Sequence, residues 1–296
     1  MALHNVTGTL TAVPPFDFAQ TLAFLGVFPL TRHEQVVNDG TLIRGTQFDG
    51  QVIVFQVKTA AQDTLEYMLF SGQPISDEIQ TAASDRIAFF LSLNDDLKPF
   101  YAIGQRDPQF APVIQKLYGY HQVKFLTPFE NAVWAILSQR NAMALSEKMK
   151  NAITERYGGK LDVDGTTYQS FPEPTQLAGA NVDELAGLIR HGPKAQGIVG
   201  AAHAFMHMDE RFLREADDED VYAWLRKIKG IGEWSASFIM LRGLGRTNAL
   251  PNGERRVLDA ASRVYGKALT PADLERLAEP YGHWRGYWAH YLRVGG

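Results

Sequence analysis

The 296-residue chain has no cysteine. Disulfides, thiolate-held metals and cysteine-ligated iron–sulfur clusters are therefore excluded. It has no apolar run long enough to span a bilayer. Its amino terminus, Met1-Ala-Leu-His-Asn5, carries neither the basic segment nor the apolar core of a secretion signal. The triplet Asn5-Val-Thr7, which has the pattern of a glycosylation acceptor, is then a chance match. A strong charge of either sign is also missing, because the formal net charge is −4. The average hides a division. Residues 221–296 hold 12 Lys+Arg against 6 Asp+Glu, whereas residues 1–220 hold 17 against 27. A polyanion would find its electrostatic footprint on the carboxyl-terminal quarter, although multi-domain proteins often show such asymmetry without a ligand.

What is present is patterned. Phe16, Phe18, Leu22, Phe24 and Leu25 follow Pro14-Pro15 and predict a helix near 16–25. Two β-rich runs, Thr41–Phe48 and Gln51–Val57, meet at Asp49-Gly50, a strong short-range hairpin signal. Thr64–Phe70 reads as a third strand. Residues 75–93 read as a helix followed by a strand, on the alternation of Ile87, Phe89, Leu91 and Leu93. Thr127-Pro128-Phe129-Glu130 has the N-cap, the proline and the capping-box acid of a helix start, and Gln139-Arg140-Asn141 ends that helix. Ala144–Tyr157 is a further helix. The polar stretch 160–175 reads as a loop in which Asp162 and Asp164 lack the other ligands of a calcium site. Helices are expected at 182–190 and 194–208, with His203 and His207 a turn apart on a solvated face.

The chain is organised around residues 221–245. Val221, Trp224, Leu225 and Ile228 form one helical stripe, and Trp234, Phe238, Leu241 and Leu244 form another. Gly230 and Gly232 bracket Ile231 between them, and two glycines so placed permit a very short reversal. The free N–H groups at the start of the second helix favour an anion, and Lys227 and Lys229 stand beside it.

Ile228-Lys-Gly-Ile-Gly-Glu-Trp-Ser-Ala236, followed by Leu250-Pro-Asn-Gly-Glu254, resembles the helix-hairpin-helix DNA glycosylase superfamily. Its nearest likeness is the 3-methyladenine DNA glycosylase II, or AlkA-like, branch. The resemblance covers residues 94–296 well and 1–93 loosely. It implies an α+β protein: a small antiparallel amino-terminal domain over residues 1–95, then a mainly α-helical glycosylase fold over residues 96–296, in two subdomains flanking a cleft. It implies a monomeric, cytoplasmic, DNA-associated enzyme without a membrane partner, which excises alkylated purines from duplex DNA.

Roles follow from the same resemblance. Glu254 falls where the family places its catalytic acid, an Asp; the extra methylene lengthens its reach by about 1.5 Å. An acid at that helix start also complements the helix dipole, and Asp259 is the other acid on the helix. Trp234 stands where strand-nicking members carry a nucleophilic lysine, so the resemblance implies a monofunctional, water-using enzyme. Trp234 and Phe238 would wall the base pocket, where an electron-rich face suits a cationic alkylated base; in an ordinary amphipathic helix both would be core. Gly230, Gly232, Lys227 and Lys229 would grip phosphate, with Arg255 and Arg256 as further contacts. Gln139 falls on a family glutamine, and Arg140 falls where members place the apolar wedge that fills the space of a flipped base. Lys194 matches a basic family position. No cofactor is implied beyond a monovalent Na+ or K+ on the backbone carbonyls of Arg226, Ile228 and Ile231. Arg293 replaces an aromatic that some members place near the chain end. Two rival readings are a helix-hairpin-helix DNA-binding protein with weak or no catalysis, and an interaction protein that uses its acidic amino-terminal region.

Overall fold

A computed structural model describes residues 3–27, 34–250 and 254–296. Pro251, Asn252 and Gly253 lie outside the described residues. The chain opens with β1 (His4–Thr11), α1 (Phe18–Val27), β2 (Gln35–Asn38), β3 (Thr41–Phe48), β4 (Gln51–Ala61), β5 (Thr64–Ser71) and α2 (Asp77–Phe90). There follow α3 (Lys98–Gly104), α4 (Ala111–Lys116), α5 (Pro128–Ser138), α6 (Met143–Tyr157), β6 (Gly159–Val163) and β7 (Thr166–Ser170). The rest is helical: α7 (Pro174–Ala178), α8 (Val182–Ile189), α9 (Gly192–Met206), α10 (Glu210–Glu215), α11 (Asp218–Lys227) and α12 (Glu233–Arg242). After these come α13 (Arg255–Val264), α14 (Pro271–Ala278), a 3-10 turn and α15 (Arg285–Gly295).

The first five strands form one antiparallel sheet in the order β1-β5-β4-β3-β2. The expected hairpin is there. Phe48 pairs with Gln51, and Asp49 and Gly50 both take positive φ, the signature of a type I′ turn. Asp39-Gly40 and Asp164-Gly165 repeat it between β2 and β3 and between β6 and β7. The second of these corrects the reading of 160–175 as a plain loop. Residues 159–170 are a two-stranded ribbon whose Val163 and Tyr168 pack on Val54 of the main sheet. Residues 75–93 hold no strand. Ala83, Ile87 and Phe90 are buried at helical spacing, and Leu91 and Leu93 are buried just past the helix end.

Apolar side chains form two large cores. One joins the inner face of the sheet (Leu42, Phe55, Val57, Leu69) to α2, α3 and α4 and to Val257, Trp288 and Tyr291 of α13 and α15. The other joins α5, α6, α8, α9, α11 and α12. The amino-terminal sheet thus shares a core with the last helices of the chain, so α12 and the α13–α15 pair belong to different cores and meet along a seam.

The two halves are also tied by four buried charges. Glu34, Arg44, Glu130 and Lys150 are each almost inaccessible. Arg44 donates to Glu130 at 2.8 Å and to Glu34 at 3.3 Å. Lys150 lies 3.1 Å from Glu130 and also pairs with Glu34, which accepts from Thr154 as well. Thr127 caps α5 as expected, but Glu130 does not turn back to complete a capping box; it points into this cluster. Burial opposes its charge, yet Arg44 and Lys150 hold its carboxyl below the usual range. Removing one partner of such a set strands the others. Lys150→Met should lower stability by about 3–5 kcal/mol, read as a lower urea midpoint at unchanged m. A loss below about 1 kcal/mol would show that the four charges do not act as a desolvated unit.

Candidate active-site cleft and nucleic-acid interface

The hairpin forms where the glycines predict it, but only one of them bends it. α11 ends at Lys227, and Ile231 N–H closes the turn on Ile228 O at 3.0 Å. Gly230 has φ +94°, a region hostile to side chains. Gly232 does not. It is the extended N-cap of α12, at φ −84° and ψ −177°. Space does not demand glycine at 230, since a Cβ would make ordinary contact at 3.6 Å from Gly197 Cα of α9; the positive φ does. Lys227 and Lys229 are exposed, and Lys229 only brushes Gln196, at 3.5 Å.

The loop after α5 is fastened to this hairpin. Gln139 Nε2 donates to Gly230 O at 2.6 Å and to Ser235 Oγ at 2.9 Å. Its amide joins the loop to the turn instead of standing free. Arg140, the next residue, is exposed and left-handed at φ +55°, so it projects from the tip beside the turn. Lys194 is not at the surface. Its ammonium donates to Leu137 O at 2.6 Å and to Gln139 O at 2.9 Å, capping α5, and burial lowers its pKa.

The carboxylate of Glu254 lies at the seam between the cores. Glu254 is the N-cap residue of α13, but its side chain does not cap that helix. It crosses instead to α15, where Oε1 accepts from Arg293 Nη1 at 3.1 Å. The Glu254 side chain keeps 13% of its surface and that of Arg293 22%. Phe238, Leu241, Arg242, Val257, Ala289 and His290 complete a small pocket around the pair. Complementing the helix dipole is therefore not what directs this side chain; its charge goes to Arg293.

The pocket is electrostatically tight. Arg242 is buried and donates to Val123 O at 2.8 Å. Burial, then the charge of Arg293, press its pKa down to about 10, while Glu254 pulls it back up. His290 is pushed well below the ordinary histidine range by burial, then by Arg242 and Arg293, and stays neutral. Glu254 thus pairs with Arg293 and acts on Arg242 only through its charge.

Trp234 and Phe238 stack with centroids 5.1 Å apart and planes at 13°. Phe238 is 5% exposed and belongs to the core as well as to the pocket wall. Trp234 is half-buried, lies against Phe238 and does not line the Glu254 pocket. Asp259 and Arg255 face each other across 3.9 Å on the open side of α13, where Arg255 is 91% exposed. Arg256 is also exposed, near Met143 Sδ. Among the described residues, no three His, Asp or Glu side chains gather as a metal site, and no helix is long and apolar enough to cross a membrane.

The fold has clear counterparts among known proteins. The model of the HhH-GPD superfamily of base excision DNA repair proteins matches residues 133–281. The chain belongs to this superfamily. It is 26% identical to a DNA-3-methyladenine glycosylase of Bacillus subtilis (strain 168) over 204 residues, 68% of this chain and 67% of that one. It is 31% identical to DNA-3-methyladenine glycosylase 2 of Escherichia coli (strain K12) over 160 residues, 54% of each. The matches thus span about two thirds and about half of these relatives. Among solved structures, 3-methyladenine DNA-glycosylase from Archaeoglobus fulgidus superposes with TM-score 0.82 at 22% identity, covering 97% of both chains. An 8-oxoguanine glycosylase/lyase of Clostridium acetobutylicum in complex with dsDNA reaches 0.71 at 18% identity, covering 99% of this chain and 97% of that one. These likenesses establish the fold of the superfamily, sheet included.

The two glycines of the motif can be told apart by stability. Gly230→Ala should cost about 1–2 kcal/mol, because a Cβ in left-handed backbone meets the neighbouring carbonyl. Gly232→Ser should cost nothing measurable, because its backbone already suits a serine N-cap. Urea midpoints of the two variants check this, and equal losses would show that the turn does not depend on φ at 230.

Proposed function

We propose that the chain is a monofunctional DNA glycosylase that hydrolyses the N-glycosidic bond of alkylated, 3-methyladenine-type purines in duplex DNA. The observation that carries this reading is the Glu254 carboxylate, part-buried in a pocket walled by Phe238 and Arg293, one helix away from the hairpin. Family membership and relatives named as 3-methyladenine glycosylases support it.

The hairpin amides at Gly232, Glu233 and Trp234 would receive a backbone phosphate, with Lys227 and Lys229 adding charge. The flipped nucleotide would enter the seam beside Phe238 and the Trp234 ring stacked on it, and Arg140 at the loop tip would fill the vacated stack by its guanidinium plane. As the base departs, positive charge builds on the sugar. Glu254, paired with Arg293, would stabilise that charge and orient the attacking water. Residue 234 is a tryptophan and has no amine to attack the sugar, so release by water follows and the strand stays intact.

Glu254→Gln should lower release of free 3-methyladenine from a methylated duplex by about 10²–10⁴-fold while duplex binding persists. That variant also removes the negative charge that pairs with Arg293. Glu254→Gln with Arg293→Met should recover its thermal stability and still release no base. Base release by Glu254→Gln at the wild-type rate would remove Glu254 from the chemistry.

A further inference from the structure

The superfamily resemblance implies a monovalent cation on the carbonyls of Arg226, Ile228 and Ile231. The residues present do not fit it. Arg226, in the last turn of α11, folds over the apex of the hairpin, where its Nη1 donates to Ile231 O at 3.1 Å. The same atom lies 3.8 Å from where a Cβ on Gly232 would sit, which puts the guanidinium beside the N-cap of α12. Ile228 O already accepts from Ile231 N–H at 3.0 Å. One of the three carbonyls is therefore engaged by a fixed positive charge and a second by the turn itself. An alkali ion placed here would meet a like charge a few ångströms away and one carbonyl fewer.

We propose that Arg226 takes the place of the ion in this chain. A guanidinium offers five N–H donors in a planar fork and stays charged at every working pH. One donor holds Ile231 O, and the outward donors remain for a DNA phosphate docked at the start of α12. The bridge from hairpin carbonyl to phosphate is then covalently tethered to the protein, and duplex binding does not depend on which monovalent cation is in solution. A lysine cannot replace it fully, because an ammonium is a point charge without the fork.

This inference rests on the hairpin binding DNA, and binding alone, without catalysis, is what the test reads. The full chain is titrated into a labelled duplex carrying an abasic-site analogue, and anisotropy gives Kd at equal ionic strength in potassium, sodium or tetramethylammonium chloride. Wild-type Kd should agree within about twofold across the three salts, since counterion release depends on ionic strength and not on ion identity. Arg226→Ala frees Ile231 O. It should bind about 5–10-fold more weakly in tetramethylammonium, as expected when one phosphate-neutralising charge is removed near 0.1 M salt. Potassium should restore part of that affinity, and Arg226→Lys should fall between. An unchanged urea midpoint shows that the variants are folded. A wild-type Kd that weakens fivefold or more on replacing potassium by tetramethylammonium overturns the proposal and leaves the DNA-binding reading intact. So does an Arg226→Ala protein that matches wild type in every salt. No binding in any salt overturns both.

Discussion

A helix buried on all sides cannot leave its end groups to water, and α5 is such a helix. Every residue from Pro128 to Leu137 is buried. Its first-turn N–H groups and last-turn carbonyls must find partners inside the protein. Thr127 supplies one at the amino end, and Glu130 anchors the same turn to Arg44 of the sheet and Lys150 of α6. At the carboxyl end the ammonium of Lys194 takes the carbonyls of Leu137 and Gln139. Gln139 in turn holds Gly230 O. One chain of polar contacts therefore runs from the sheet, along α5, to the bend of the hairpin. The sheet carries no group of the proposed chemistry, but it fixes one end of the helix whose other end fixes the hairpin.

The same economy of partners explains the pocket. Arg242 is too deeply buried to be charged without compensation, and Arg293 brings a second positive charge to it. Glu254 pairs with Arg293 and draws the pKa of Arg242 back up. The Glu254 carboxylate accepts a hydrogen bond from Arg293 and is oriented by it. Phe238 forms an apolar wall on one side, with Trp234 stacked on it outside the pocket, and neutral His290 adds no further charge. The anion is thus placed by α13 and α15 of one core, and the wall by α12 of the other. Movement of the two cores against each other would alter the distance between the carboxylate and the aromatic wall directly.

Much of this is legible in the sequence. The helix-hairpin-helix spacing places α11, the turn and α12, and the acid motif places Glu254 at the start of α13. Asp49-Gly50 marks its hairpin. The same dipeptide at 39–40 and 164–165 marks two more, one of them hidden because Lys160, Asp162, Thr166 and Thr167 make the β6–β7 ribbon look like a polar loop. Residues 87–93 alternate by accident, since a helix end followed by two buried turn leucines mimics a strand. Gly232 misleads because an N-cap and a left-handed turn both favour glycine. Lys194 matches a basic family position in the sequence, but only the fold shows that it caps the carbonyls of Leu137 and Gln139. Glu130 has two signals, a capping-box position and an acid in an apolar helix, and only the three-dimensional neighbours decide between them.

Residues 254 and 293 show what spacing alone hides. A glutamate where the family has aspartate looks like an overlong acid, and an arginine where some members have an aromatic looks like a loss of stacking. The fold brings the two departures within 3.1 Å of each other. An aspartate from the same backbone position would fall short by about one carbon–carbon bond, about 1.5 Å, and an arginine at 293 facing an aromatic pocket with no acid in reach would be a part-buried unpaired charge. Arg293 would be costly without an acid in reach, and Glu254 removes that cost. The longer acid is therefore not a misplaced version of the family residue but one half of an ion pair whose other half lies 39 residues further along the chain. The position of the carboxylate is set by α15 as much as by the motif that identifies it.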